Sequence, residues 1–225
     1  MYNNKKILAF IPARWGSKRV PHKNSLEIKG KKLFMYSVEY AKTSQFVDDV
    51  IVSSDSEDIL KIAHKAGCLK NDPRPKNLSA DTARIVDAIL YEVSKLNQHY
   101  DAVVLLQPTY PIRPAGMIDE AIKQYFTKET SLISVTKAKE QPEFTRYIKK
   151  GRLHKILSAS SDIRSQNFQQ YYKIIGSIYI NNLSKLNKKT VLNENEIPYL
   201  IDEYYSLDID TYADLTEFQK RMGAK

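Results

Sequence analysis

The chain has 225 residues, of which 27% are charged and 42% hydrophobic, and a formal net charge of +9. That length carries one domain with a sizeable core, and the longest apolar runs, such as residues 102–106, are far too short for a membrane-spanning helix. The single cysteine, Cys68, excludes an intrachain disulfide and fits a reducing cytoplasm.

Residues 6–11 read as a strand, and no small-residue cleavage site follows that would make the run a signal peptide. Residues 33–44 read as a helix, with Leu33, Val38 and Ala41 among its apolar positions, and residues 49–53 as a second strand. Ser56 is the expected N-cap of a helix through Ala66, with Gly67 just past its end. A helix over 80–96 starts near Asp81 or Thr82, ahead of a continuous apolar strand over 102–106 of the kind covered on both faces. Helix 115–126 and strand 131–136 extend the alternation. From 137 to 173 the pattern turns polar, with extended pieces at 144–148 and 153–157. This excursion, at about 138–173, is expected to be a hairpin that contacts another subunit. Strand 174–180 and helix 211–221 close the chain.

The alternation predicts one α/β domain over 1–225, with a mostly parallel sheet and helices on both faces. Ligands of such sheets sit beyond the carboxyl ends of the strands. The basic charge raises nucleic acid as a partner, but no helix-turn-helix, zinc-finger or aromatic RNA-binding signature accompanies it. Apart from one loop the cations are scattered, so an anionic small molecule is expected and not nucleic acid.

That loop leaves the first predicted strand as Ile11-Pro-Ala-Arg-Trp-Gly-Ser-Lys-Arg-Val-Pro-His-Lys-Asn24. Arg14, Lys18, Arg19 and Lys23 place cations along an irregular stretch, Gly16 permits close backbone approach, and Ser17 and Asn24 add neutral donors. A triphosphate needs charge-assisted donors from several directions, which a loop supplies and a straight helix does not. The spacing is neither Gly-x-x-x-x-Gly-Lys-Ser/Thr nor Gly-x-Gly-x-x-Gly. A solvated basic turn is the competing reading; position at a strand end favours a ligand loop.

The segment resembles the signature of the acylneuraminate cytidylyltransferases, Ala-Arg-x-x-Ser-Lys-x-x-x-x-Lys-Asn, through Arg14, Ser17, Lys18, Lys23 and Asn24. The resemblance implies a Rossmann-like nucleotidyltransferase in which Arg14, Ser17, Lys18 and Lys23 hold the phosphates of CTP and Asn24 orders the loop or nucleotide. Further segments match in order. Ser53-Ser-Asp-Ser56 resembles the family's Ser-Thr/Ser-Asp. Asp72-Pro-Arg-Pro75 and Leu78-Ser-Ala-Asp-Thr82 resemble the stretch around cytosine and ribose, implying that Arg74 bonds the base and that Ala80, Asp81 and Thr82 line its other side. Leu105-Leu-Gln-Pro-Thr-Tyr-Pro-Ile-Arg113 implies Gln107 on the sugar acid and Arg113 bracing the loop.

Asp208 and Asp210, two apart, share a face if the chain is extended, where both carboxylates can hold one magnesium ion with substrate phosphates. An acidic helix entry, with Asp210 or Thr211 as N-cap and Asp214 capping or bracing, is the alternative. The family's Ser-x-Asp-Ile-Asp-Thr-x-x-Asp-Leu pattern favours Mg2+ ligands. In the family's acceptor region, Arg164, Lys173 and Tyr179 are the matching candidates, with Lys173 in place of an arginine and Ile175 in place of an asparagine. His22, His64, His99 and His154 have no metal-ligand spacing. The resemblance implies a cytidylyltransferase that joins CTP to an acidic 2-keto sugar of sialic or legionaminic acid type. Arg14, Lys18, Lys23 and Asp210 would be catalytic, and the protein a cytoplasmic homodimer. A sugar-1-phosphate nucleotidyltransferase and a basic nucleotide- or nucleic-acid-binding module are the other readings.

Overall fold

The computed structural model describes residues 1–128, 130–157 and 169–223. In chain order the strands are β1 (Ile7–Pro12), β2 (Glu27–Ile28), β3 (Lys31–Lys32), β4 (Asp49–Ser53), β5 (Ala102–Leu105), β6 (Leu132–Lys137), β7 (Arg146–Lys149), β8 (Arg152–Lys155), β9 (Tyr172–Asn182) and β10 (Ile197–Leu200). The helices are α1 (Leu33–Lys42), α2 (Glu57–Lys65), α3 (Ile85–Ser94), α4 (Met117–Lys128) and α5 (Tyr212–Gly223).

Six strands form one sheet in the order β10-β6-β9-β5-β1-β4. β1 runs parallel to β4 and β5, and β10 parallel to β6, while β9 is antiparallel to both neighbours. β1 lies between β5 and β4 and is covered on both faces, so its alternation divides the core. Ile7, Ala9 and Ile11 pack with Phe34 and Val38 of α1, Ile59 of α2 and Ile118 of α4. Leu8 and Phe10 pack on the other face with Val86 and Ile89 of α3.

A smaller cluster decides where the cationic loop goes. Val20, the apolar residue among the loop's cations, is fully buried with Ile209 and with Leu215 and Phe218 of α5. Burying such a side chain is worth about 1.5–3 kcal/mol. The loop is thereby pinned beside the segment that carries Asp208 and Asp210.

The predicted helix over 80–96 is corrected to α3, which starts at Ile85. Residues 80–83 form a turn closed by Ala83 N–H donating to the Ala80 carbonyl, and Arg84 is extended (φ −84°, ψ 140°), which stops the helix from running back to Asp81. α4 begins at Met117 and not at 115, because Gly116 sits at φ +76°. Ser56 does cap α2, its Oγ accepting from Ile59 N–H at 3.4 Å, and Gly67 follows that helix at φ +81°. β10 has no counterpart in the sequence reading: it is short, half exposed and contains Pro198, which suits an edge strand.

The polar excursion contains β7 and β8, paired as a separate antiparallel ribbon around Lys150-Gly151, both at positive φ. Ile148 and Leu153 face each other across it and are 75% and 70% exposed. Among the described residues no helix is long and apolar enough to cross a membrane. Cys68 is buried, which pushes its thiol up to about 11 and leaves it a packing residue.

Candidate active site

The cationic loop is fastened at several points. Asn24 Nδ2 donates to the Arg14 carbonyl at 2.8 Å, and Trp15 N–H donates to Asp55 Oδ1 at 2.7 Å. His22 occupies the left-handed region (φ 52°) just before a 3₁₀ turn at Lys23–Ser25, and its ring packs on Trp15 with centroids 4.0 Å apart. Trp15 therefore covers His22 and not the core.

The loop forms one wall of a cavity of about 500 Å³ at the carboxyl ends of β1 and β5. Arg14, Ser17, Lys18, Arg19, Lys23 and Asn24 line it from the loop; Arg74, Ala80, Asp81, Gln107 and Asp210 line it from elsewhere. Asp81 bridges two of the cations, with Oδ1 2.7 Å from Arg14 and Oδ2 2.6 Å from Lys18. The hydrogen bonds from Lys18 and Arg14 hold its carboxyl below the usual range. An anion already occupies the cations' reach, as a phosphate would.

At the opposite wall Asp210 bridges the other two cations, with Oδ1 2.9 Å from Lys23 and Oδ2 2.8 Å from Arg19. The Lys23 ammonium also donates to the Ile209 carbonyl, and Lys23 is only 8% exposed. Asp208 lies outside this cavity, beside the Thr109 and Tyr110 side chains. Burial, and after it the Asp210 charge, push its carboxyl up, and its Oδ1 is buried without a hydrogen-bond partner. Neither aspartate is the helix cap. Thr211 and Asp214 form a reciprocal box, Asp214 Oδ2 accepting from Thr211 N–H at 2.7 Å and Asp214 N–H donating to Thr211 Oγ1 at 3.3 Å.

Arg74 enters the first cavity from the segment after α2. Its backbone N–H donates to the Ser54 carbonyl at 2.7 Å and its Nε to Ser79 Oγ at 3.1 Å. Burial lowers its guanidinium from the ordinary arginine value.

A second cavity, of about 440 Å³, adjoins the first through Arg84, Ile85 and Gln107. Tyr110, Gly176, Tyr179 and Asn193 line it, and Tyr179 donates to Asn193 Oδ1 at 3.1 Å. Ser134 Oγ accepts from Ile178 N–H at 3.0 Å and donates to the Ile175 carbonyl at a β-bulge, which fixes Gly176 beneath Gln107. A Cβ on Gly176 would lie 1.9 Å from Gln107 Oε1 and 2.8 Å from the Tyr110 ring. Gly176→Ala is expected to displace Gln107, cut turnover by about 100-fold or more and cost about 1–3 kcal/mol of stability; pyrophosphate-release kinetics and thermal unfolding check both.

The cytidylyltransferase family model matches residues 8–217. The chain belongs to the cytidylyltransferase family. Within that family it is 33% identical over 224 residues to the CMP-N,N'-diacetyllegionaminic acid synthase of Legionella pneumophila, covering 96% of both chains. It is 30% identical over 221 residues to the pseudaminic acid cytidylyltransferase of Campylobacter jejuni, covering 96% of this chain and 95% of the relative. Among solved structures, a CMP:2-keto-3-deoxy-manno-octonic acid synthetase complexed with CTP shares the fold, with a TM-score of 0.71, 18% identity, and coverage of 97% of this chain and 99% of that one.

In this cytidylyltransferase-family chain the predicted residues separate into groups. The loop cations, Arg74, Ala80, Asp81, Gln107 and Asp210 share one cavity, and Gln107 and Tyr179 share the next. Thr82 lines neither cavity. Lys173 is exposed and lines neither cavity, because alternation along β9 gives Ile174 to the second one. Arg164 lies outside the described residues. Ile175 is buried in the apolar cluster, so its position in β9 feeds the core and not the cavity. Arg19 and Asp55 were not among the predicted site residues. Arg19 was visible as a loop cation, but its pairing with Asp210 has no sequence signal.

Proposed function

We propose that this chain transfers the cytidylyl group of CTP to the anomeric hydroxyl of a nonulosonic acid of sialic or legionaminic type, releasing pyrophosphate. One observation carries the reading: Lys18 and Asp210, far apart in sequence, line the same cavity, with Arg74 in it and a second cavity sharing Gln107. The family match and the relatives' names support the choice of CTP and of a nonulosonic acid.

CTP phosphates would displace the Asp81 carboxylate from Arg14 and Lys18, exchanging one anion for another of higher charge. Arg74 would take the base, and the second cavity the sugar acid beside Gln107 and Tyr179. The anomeric oxygen then attacks the α-phosphorus. The new P–O bond forms as the bond from the α-phosphorus to the bridging α–β oxygen breaks, and the hydroxyl proton passes to the Asp210 carboxylate or to solvent. Arg14, Lys18 and Lys23 offset the charge that grows on the pyrophosphate, and holding both reactants in adjoining cavities supplies the alignment.

Asp208 and Asp210 offer hard oxygen donors two residues apart, one of them a buried oxygen with no partner, and this donor set fits Mg2+. The ion, when bound there, neutralises phosphate charge. The exposed Ile148 and Leu153 of the β7–β8 ribbon support a homodimer, and the lone buried Cys68 supports a cytoplasmic setting.

A pyrophosphate-release assay with Mg2+, each nucleoside triphosphate and a panel of nonulosonic acids tests the reading. Release is expected only with CTP and a nonulosonic acid. Release with sugar phosphates instead, or salt-sensitive polynucleotide binding without release, would overturn it.

A further inference from the structure

Glu92 is a carboxylate in the core, 1% exposed, on the face of α3 that meets the end of β4. Its Oε1 accepts from Ser53 Oγ at 2.6 Å and its Oε2 from Asn71 Nδ2 at 3.1 Å. Asn71 Nδ2 also donates to the Val52 carbonyl at 3.1 Å. Ser53 Oγ lies 3.5 Å from Arg74 Nη1. Ser53 donates its one proton to Glu92, so the Ser53 lone pairs turn to Arg74. The guanidinium is thus held at Nη1 by Ser53 and at Nε by Ser79, while Nη2 has no protein acceptor among the described residues. Arg74 lines the nucleotide cavity with donors to spare, fixed in direction by a relay that begins outside the cavity.

We propose that Glu92 is a positioning residue for base selection: through Ser53 it orients the Arg74 guanidinium, so that Arg74's spare donors meet the O2 and N3 acceptors of cytosine and not the N3–H of uracil. The inference rests on the reading that this cavity takes CTP with Arg74 at the base.

Glu92→Gln is the sharp test, because it keeps shape and frustrates the relay in either amide orientation. With the amide nitrogen toward Asn71, two donors meet; with it toward Ser53, the Ser53 proton swings to Arg74. Steady-state kinetics with CTP and UTP should then show KM for CTP raised by about tenfold, kcat within about threefold, and the CTP-over-UTP preference reduced by about tenfold. Ser53→Ala should shift both readouts the same way, and the double variant should be no worse than the more affected single one, as expected for one coupled path. If Glu92→Gln does not fold, Ser53→Ala alone decides. Folded variants that keep the parent KM and CTP preference, whatever their melting temperature, would overturn the inference. If the unsubstituted protein neither binds CTP nor releases pyrophosphate, the functional reading has failed instead.

Discussion

Asp210→Asn is expected to abolish turnover, by about 1,000-fold or more in kcat, with the fold retained. Two arguments give the size. Asp210 lines the first cavity beside Lys23 and Arg19, and with Asp208 it completes the donor pair proposed for Mg2+. It is also the counter-charge of Lys23, whose ammonium is nearly buried, and of Arg19. Asparagine keeps the volume but removes the charge that holds those cations in place before CTP arrives. The fold is expected to survive because the start of α5 is capped by Thr211 and Asp214, and Lys23 keeps the Ile209 carbonyl. Pyrophosphate release, read beside thermal unfolding, checks the pair of outcomes. Near-normal kcat in a folded Asp210→Asn protein would refute the role.

The second large effect is expected at Arg113, and it is one of stability. Its guanidinium is buried and makes no carboxylate pair among the described residues: Nε donates to the Ser177 carbonyl at 3.2 Å, Nη1 to Ser37 Oγ at 3.0 Å and Nη2 to the Gln107 carbonyl at 2.8 Å. Burial pushes it down to about 9, still protonated at neutral pH. This one side chain clamps α1, β9 and the loop that presents Gln107. Arg113→Lys keeps the buried charge but loses the fork, and should cost about 3–5 kcal/mol. Arg113→Met removes donors and charge together; the carbonyls lose a partner, but the desolvation cost of the charge goes too, so about 1–3 kcal/mol is expected. The order, with lysine worse than methionine, is the distinguishing result, read by denaturant unfolding. Both variants should lose activity through Gln107. A lysine variant as stable as the parent would show that the fork is not what holds the loop.

The core strands of this cytidylyltransferase-family chain were legible because their patterns are local. The runs at β1 and β5 are apolar at every position and that of β4 is apolar over residues 50–52, as strands covered on both faces require, and the Ser56 cap and Gly67 stop bracket α2. The start of α3 was misplaced because Asp81 and Thr82 look like caps. Asp81 instead serves Arg14 and Lys18, a pairing across 67 and 63 residues that no local pattern records. β10 was missed because an edge strand with a proline carries half the usual signal, and its partner β6 lies far away in sequence. Lys173 was assigned to the acceptor by resemblance, at a position where the family has an arginine, and in the structure it lines neither cavity.

By itself the sequence determined which residue types were available for the chemistry: a cationic loop at a strand end, an arginine in a proline-rich segment, and two aspartates near the C-terminus. These are short-range facts, fixed by charge and by strand and turn propensity. Only the tertiary structure decided their partners. Burial of Val20 against Ile209 and Phe218 brings loop and aspartates together, so that each cation finds a carboxylate and Asp210 meets Lys23 across 187 residues. The physical reason is that these pairings are set by the packing of distant apolar side chains, which also buries Glu92 behind Arg74, and that packing has no period along the chain.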